Sequence, residues 1–386
     1  MKRVLTFYSI IFFCFSCGNH NKVSSYSNDE INSSNSGNPE TTISHALGFT
    51  INYYPDYKLI KIINPWQGAK NIQFKYILVN KGKKPPQNID DAQVIETPIK
   101  RIICLSTTHI AFLDFIDKTN TLVGVSGSRY ISNFKVIELI KKGEISDVGY
   151  DQNLNFELII SLKPDLVMSY GIGSEAANYI YKLKELGITV VINAEYLEQT
   201  PLAKTEWVKF MAAFYNAEKK ANEKFTYIEN EYNKIVELSK FANKKPKVLT
   251  GLPWKDKWYV PGGNSYLARL ISDAGGRYLW EGNDSRESLP LDIEAVFEKS
   301  LDADIWINPG AAIKKEDILI VDKRLKNFKT YRENVIFNNN AILNEFGGND
   351  YWESGIVQPH VILKDIMHIF HPELLKYHRL VYYRKL

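Results

Sequence analysis

Aromatic side chains carry most of the recognisable chemistry in this sequence. Tyr130, Tyr150, Tyr170, Tyr196, Trp254, Trp258, Tyr259, Tyr351 and Trp352 fall between or at the ends of apolar runs rather than inside them. Rings with a polar handle, placed on loops, suit a large, flat or greasy ligand with polar edges. Ser106, His109, Ser126, Glu195 and Asn308 share those stretches and add hydrogen-bonding groups. Arg129 adds a cation able to pair with a carboxylate or catecholate. Two more carboxylates stand in matching settings, Leu154-Asn155-Phe156-Glu157 and Leu291-Asp292-Ile293-Glu294. Asn155 and Asp292 are candidate helix caps, so each glutamate falls in a first helical turn. There the helix dipole stabilises it by ~0.3–1 kcal/mol.

Catalysis has no comparable support. No G-x-S-x-G elbow occurs, and Cys104 lies within the apolar run Ile102-Ile103-Cys104-Leu105, the setting of a buried structural thiol. The histidines are His20, His45, His109, His360, His368, His371 and His378; none forms a set at metal-ligand spacing. His368 and His371 lack a third ligand, so a metal site is not expected. His109, alone in an expected binding loop, is either a structural histidine or an axial ligand to haem iron or cobalt. Gly262-Gly263 and Gly347-Gly348 lack the lysine and spacing of a phosphate loop and are read as turns. The chain is therefore read as a binding protein and not an enzyme, with a hydrolase or a surface adhesin as the contrasting classes.

Positioning these residues requires strands that end at the loops. From Ile99 short apolar strands alternate with helical stretches: Arg101–Leu105, Leu122–Val125, Leu166–Ser169 and Ile188–Ile192 as strands, with helices at His109–Ile116, Phe156–Ser161 and Ala177–Leu186. Gly187 closes the last of these helices. Such alternation implies a parallel sheet covered on both faces. From Leu202 to Phe241 there is no Gly or Pro, and apolar residues recur every three or four positions. This predicts one long helix, or two nearly collinear ones, about 54 Å long. After Pro246 the alternation resumes, with strands at Lys247–Gly251, Ile305–Ile307, Val335–Phe337 and Ala341–Leu343, and helices at Ser265–Ala274, Glu294–Leu301 and Ile356–Phe370. Ligands of open α/β lobes bind beyond the carboxyl ends of strands, which is what selects the loops above. The expected fold is α/β: two Rossmann-like lobes (residues 99–200 and 244–386) joined by a spine helix (201–243). The runs Phe49–Tyr54, Leu59–Ile63 and Phe74–Val79 predict a small β-rich extension (41–98) before them.

The chain has 386 residues, 45% hydrophobic and 13% aromatic, which excludes a disordered protein. A net charge of only +4, without a long basic tract, argues against a nucleic-acid partner. Lys2 and Arg3 precede an apolar stretch, Val4 to Phe15, too short to span a bilayer and suited to a secretory signal. It ends in Cys14-Phe15-Ser16-Cys17-Gly18, which resembles a bacterial lipoprotein box, although Cys14 replaces the usual leucine. The resemblance implies a signal peptide over 1–16, lipidation at Cys17 and a Ser-, Asn- and Gly-rich tether over 17–40.

The ordered set Arg101-Ile102-Ile103-Cys104-Leu105-Ser106, Val123-Gly124-Val125-Ser126, Asp147-Val148-Gly149, Asn155-Phe156-Glu157, Leu162-Lys163-Pro164-Asp165-Leu166-Val167, Asp273-Ala274-Gly275-Gly276 and Leu291-Asp292-Ile293-Glu294 resembles the periplasmic substrate-binding lipoproteins of ABC importers for iron complexes and vitamin B12. The likeness runs from about Ile99 to Leu374. It departs at His109, where a glutamate is common, and in the β-rich extension. It implies a receptor, lipid-anchored to a bacterial membrane and facing the periplasm. The receptor would be a monomer with little motion between its lobes, and it would hold a ferric siderophore, haem or cobalamin in the cleft. It also implies a partner, a permease with its ATPase, whose arginines meet Glu157 and Glu294. No resident cofactor is implied.

Overall fold

The computed structural model describes residues 40–386 apart from 87–88, 151–152 and 172, and for 173–178 the backbone only. The signal peptide, Cys17 and all but the last residue of the tether lie outside the described residues. No described helix is long and apolar enough to cross a membrane.

The first sheet is the β-rich extension. Strands β1 (Phe49–Tyr53), β2 (Tyr57–Ile63) and β3 (Gln73–Asn80) form an antiparallel meander, and β4 (Ala92–Thr97) joins β3 in parallel. Alternation decides its faces: Phe49, Ile60, Ile62, Tyr76 and Leu78 enter a core that also holds Trp207, Phe210 and Phe214 of the first lobe, while Leu59, Ile77 and Val79 cluster on the other face. The sheet is thus built into the first lobe.

The first lobe has a five-stranded parallel sheet in the order β7-β6-β5-β8-β9. In chain order its elements are β5 (Ile102–Cys104), α1 (Thr107–Phe115), β6 (Leu122–Val125), α2 (Phe134–Lys141), β7 (Ser146–Asp147), α3 (Phe156–Ser161), β8 (Leu166–Ser169), α4 (Gly173–Glu185) and β9 (Val190–Ile192). Strands β5, β6, β8 and β9 are buried along their whole length, as covering on both faces demands. Cys104 lies in this core with a free thiol, its pKa driven up by burial.

The expected single rod is two helices, α5 (Pro201–Ala213) and α6 (Glu218–Ser239). Thr200 caps α5 through its side chain, and Pro201 begins it. The break is at Asn216, whose φ of 52° is left-handed, a conformation asparagine tolerates. Nor are the helices collinear. Lys209 Nζ lies 4.3 Å from the Phe225 ring centroid, whereas sixteen residues of straight helix span about 24 Å. The spine is therefore α6 alone. It sends Ala221 and Phe225 into the first lobe's core and Ile228, Tyr232 and Ile235 into the second's.

The second lobe comprises β10 (Lys247–Thr250), β11 (Pro253–Trp254), β12 (Lys257–Val260), α7 (Tyr266–Asp273), β13 (Arg277–Tyr278), β14 (Leu289–Asp292), α8 (Ile293–Ser300), β15 (Ile305–Ile307), α9 (Lys315–Val321), α10 (Lys329–Arg332), β16 (Ile336–Asn338), α11 (Pro359–Phe370) and β17 (Arg384–Lys385). Its main sheet runs β13-β10-β15-β16-β17, parallel except for β17, and β11-β12-β14 form a small antiparallel sheet. The strand expected at Ala341–Leu343 is absent; those residues are exposed. Its edge is taken by the C-terminal tail, held by Asp365, which accepts the backbone N–H groups of Val381, Tyr382 and Tyr383.

Candidate functional site

Some of the loops chosen from sequence meet between the lobes, in two groups. One surrounds a cavity of about 960 Å³. The loop after β9 and the first turn of α5 supply Tyr196, Glu198 and Lys204; the second lobe supplies Tyr259, Tyr266, Arg286 and Trp352; and the turn between β2 and β3 supplies Trp66. Trp254 stands beside this group, its ring 6.2 Å from Tyr259 and largely exposed. The other group is Arg129, Tyr130 and Tyr150, on the loops after β6 and β7. The Arg129 guanidinium lies 4.8 Å from the Tyr130 ring, and the tyrosine rings are 6.2 Å apart.

Beside the second group the lobes are joined. Asn344 Nδ2 donates to the carbonyls of Arg129 (2.8 Å) and Ile131 (3.0 Å). The Glu353 carboxylate accepts the N–H groups of Ser132 and Asn133 at 2.7 and 2.8 Å. Burial pushes the Glu353 carboxyl up to about 7 despite those two donors. At the floor the Thr205 hydroxyl of α5 donates to the Ile356 carbonyl at 2.6 Å. Across the cavity, the Gln199 amide oxygen, turned toward Arg286, accepts from its Nη1 and Nε at 2.7 and 2.9 Å.

The lining carries the carboxylates Glu198 and Glu287 and the cations Arg286 and Lys204. The Lys204 ammonium lies 4.6 Å from the Tyr266 ring and has no ion pair among the described residues. Burial lowers its pKa, and the nearby Glu195 and Glu198 only partly offset this. Glu198 is otherwise engaged, whereas one oxygen of Glu195 has no hydrogen-bond partner among the described residues. Glu195 is buried, its pKa raised by that burial although Thr108 hydrogen-bonds to it. Glu198 accepts from the N–H groups of Leu47 and Gly48 and from Trp207 Nε1. An anion entering the cavity would meet Lys204 and Arg286, two cations on opposite lobes. A second cavity, about 620 Å³ between α1, α6 and α11, is lined by more acid than base: Asp114, Asp117, Glu223 and Asp350 against Lys224. It would repel an anionic solute.

Several sequence-predicted residues lie elsewhere. His109 does not face the cleft. It is fully buried under the sheet, its ring near the Met168 carbonyl, and burial pushes its pKa down to about 3. Trp258 belongs to a hairpin strand rather than a loop, packs in the core with Trp306 and Phe328, and donates to the Thr250 carbonyl at 3.0 Å. Tyr351 is buried among Tyr382, Tyr383 and Trp352. Ser106 caps α1 and pairs with Thr108 at 2.9 Å. Ser126 is half-buried where β6 ends, its N–H donating to the Cys104 carbonyl. The Tyr170 carbonyl accepts the Tyr179 hydroxyl at 3.1 Å. Asn308 is half-buried with a left-handed φ of 55°. Trp66, Lys204, Tyr266 and Arg286 were not expected. The Thr200-Pro201 helix start, just after the Tyr196 loop, was the available signal for Lys204.

Glu157 and Glu294 are both exposed in first helical turns. Asn155 caps α3 by accepting from Leu158 N–H at 2.9 Å. Asp292 instead turns to Lys257 Nζ at 2.5 Å, and Glu294 stands 3.5 Å from Arg324 Nη1.

With this geometry in place, comparison with known proteins adds a family. Residues 102–340 match the family described as periplasmic binding protein. An uncharacterized lipoprotein of Methanocaldococcus jannaschii is 30% identical over 356 residues, covering 86% of this chain and 83% of that protein. An uncharacterized ABC transporter substrate-binding lipoprotein of Bacillus subtilis is 29% identical over 194 residues, 48% of this chain and 59% of that protein. Among solved structures, a possible iron-binding, periplasmic solute-binding protein of Staphylococcus epidermidis shares the fold, with a TM-score of 0.56 and 21% identity over 71% of this chain and all of that one.

Proposed function

The chain belongs to the periplasmic binding protein family, as a solute-binding protein of an ABC transporter and not an enzyme, and we propose that its solute is a bulky iron complex, a ferric siderophore or haem. The observation that carries this reading is the pairing, in one cavity of about 960 Å³, of aromatic rings with the desolvated Lys204. Rings suit the conjugated faces of such complexes, and the cation suits their carboxylate or catecholate groups. The description of the Staphylococcus epidermidis structural neighbour as a possible iron-binding protein points to the same class.

In this reading the receptor is tethered through a lipid on Cys17, in keeping with its lipoprotein relatives. Glu157 and Glu294 present one carboxylate per lobe to the permease. Both are exposed and neither belongs to the cavity, so delivery and capture use separate residues.

Tryptophan fluorescence titration with haemin, a ferric catecholate, a ferric hydroxamate, cyanocobalamin and zinc tests the solute, because Trp66 and Trp352 line the cavity. Quenching by an iron complex at micromolar concentration or below is expected. Quenching by cyanocobalamin alone would move the assignment to a corrinoid, and quenching by zinc alone would overturn it.

A further inference from the structure

The N-terminal sheet reaches the cleft through one turn. Between β2 and β3 the chain reverses over Asn64, Pro65, Trp66, Gln67 and Gly68, with Asn64 and Gly68 in left-handed backbone at φ 46° and 80°. The turn is fixed rather than loose. Asn64 Oδ1 accepts the Ile72 N–H at 3.2 Å, and the Trp66 ring meets Phe74 edge-on at 6.1 Å. It fits closely against the loop after β8: a Cβ on Gly171 would stand 3.0 Å from the Pro65 carbonyl oxygen and 3.4 Å from the Trp66 ring. The Gly171 carbonyl in turn accepts the Tyr196 hydroxyl at 2.5 Å. Burial pushes that hydroxyl's pKa up to about 12, so it remains a donor. Turn, β8 loop and β9 loop are thereby one fixed surface, and the cavity lies against it with Tyr259 and Trp352 of the second lobe also in its lining. All of the turn lies outside the segment 102–340 that matches the family.

We propose that this turn is a third wall of the solute site, with Trp66 as a stacking platform that selects a conjugated, anionic solute held by Lys204. The proposal rests on the reading of this cavity as the solute site, and it assigns the added sheet a role in specificity. A solute that uses the wall spans a first-lobe platform, a second-lobe aromatic and a cation on α5, which favours wide, flat anions over compact ones.

The test uses 1-anilinonaphthalene-8-sulfonate, a conjugated anion, titrated by fluorescence into the mature chain, with haemin titrated in parallel by difference absorbance. Trp66→Ala should weaken the sulfonate at least fivefold. Trp66→Phe, which keeps a ring, should stay within twofold. Tyr54→Ala, which removes an exposed ring from the same sheet away from the turn, should change nothing. Melting curves of all four proteins separate lost folding from lost binding, and Trp66→Phe reports even where Trp66→Ala is unstable. Equal affinity in wild type and Trp66→Ala overturns the third wall, as does a fivefold loss in Tyr54→Ala or Trp66→Phe, or a wild type that leaves the probe dark. Haemin failing to bind any of the four, while the sulfonate series behaves as expected, would count against the iron-complex reading and leave the wall supported.

Discussion

Glu206 and Asp365 occupy comparable posts in the two halves of the molecule. Both are fully buried, and each gathers three consecutive backbone N–H groups from a segment near one end of the chain. Glu206 takes Ser44, His45 and Ala46 at 2.9, 2.7 and 2.7 Å; Asp365 takes Val381, Tyr382 and Tyr383 at 3.0, 2.7 and 3.0 Å. They differ in the fourth partner. Glu206 is paired with Lys209 of its own helix at 2.7 Å, and Lys209 also donates to the Thr42 carbonyl. Asp365 is paired with His378, just before the tail segment it holds, at 2.6 Å. Lys209 therefore stays beside Glu206 whether or not the 44–46 segment is in place, whereas His378 leaves Asp365 together with the C-terminal tail. Burial raises the Glu206 pKa, but Lys209 and the backbone donors outweigh it and hold the carboxyl below its usual range. Its contribution to stability is present above the unfolded-state pKa and is lost as pH falls through the folded value.

The largest effect that would break this comparison is expected at Glu206. Glu206→Ala orphans three N–H groups and leaves Lys209 buried without its partner, a loss of roughly 3–5 kcal/mol in urea unfolding. Asp365→Ala should cost roughly 2–4 kcal/mol, because it strands N–H groups but no permanently charged lysine. A larger loss at Asp365 than at Glu206 would contradict the role given to Lys209. Acid sharpens the contrast between the lobes further. His109 of the first lobe is held neutral, its pKa moved from the usual 6.5 to about 3, so the unfolded chain binds its proton first and stability falls as pH drops below 6.5. By pH 4 this amounts to about 3 kcal/mol. Glu353 of the second lobe runs the other way: raised from 4.5 to about 7, it favours the folded state as pH falls from 7 toward 4.5. His109→Leu should flatten the acid limb of a melting-temperature profile, and Glu353→Gln should steepen it. The smallest effect belongs to the rim: Glu157→Ala and Glu294→Ala should leave stability within about 0.5 kcal/mol and solute affinity intact, while slowing import in reconstituted vesicles. Lost affinity in either variant would return that residue to the solute site.

The two lobes were legible in sequence because their strands are unbroken apolar runs and their helices start at recognisable caps such as Asn155 and Ser265. The break between α5 and α6 was not, because Phe214-Tyr215-Asn216-Ala217 contains neither glycine nor proline and a left-handed asparagine leaves the apolar spacing intact. The hairpin of β11 and β12 was read as a loop because Lys255-Asp256 interrupts it after two residues. That misreading placed Trp258 in the cleft, although its indole serves the Thr250 carbonyl from within the core. His109 was misplaced because α1 begins two residues earlier than expected: it follows the cap Ser106 inside the helix and is buried with Phe112 and Leu113. Within the cavity, Tyr196, Tyr259 and Trp352 were legible from the strand-end rule. Trp66 was not, because the rule looked only at the lobes and Trp66 comes from the sheet before them.

Phe225 and Ile228 are three residues apart on an unbroken helix, yet they belong to different hydrophobic cores. Moving the lobes far apart would require bending that helix or uprooting one of its ends, and a regular helix without proline, glycine or bulge resists both. A receptor so built would spend little of its solute's binding energy on rearrangement. An importer would then see almost the same silhouette whether its messenger arrived empty or loaded. It must tell the two apart by the cargo itself or by a change no larger than a shifted side chain.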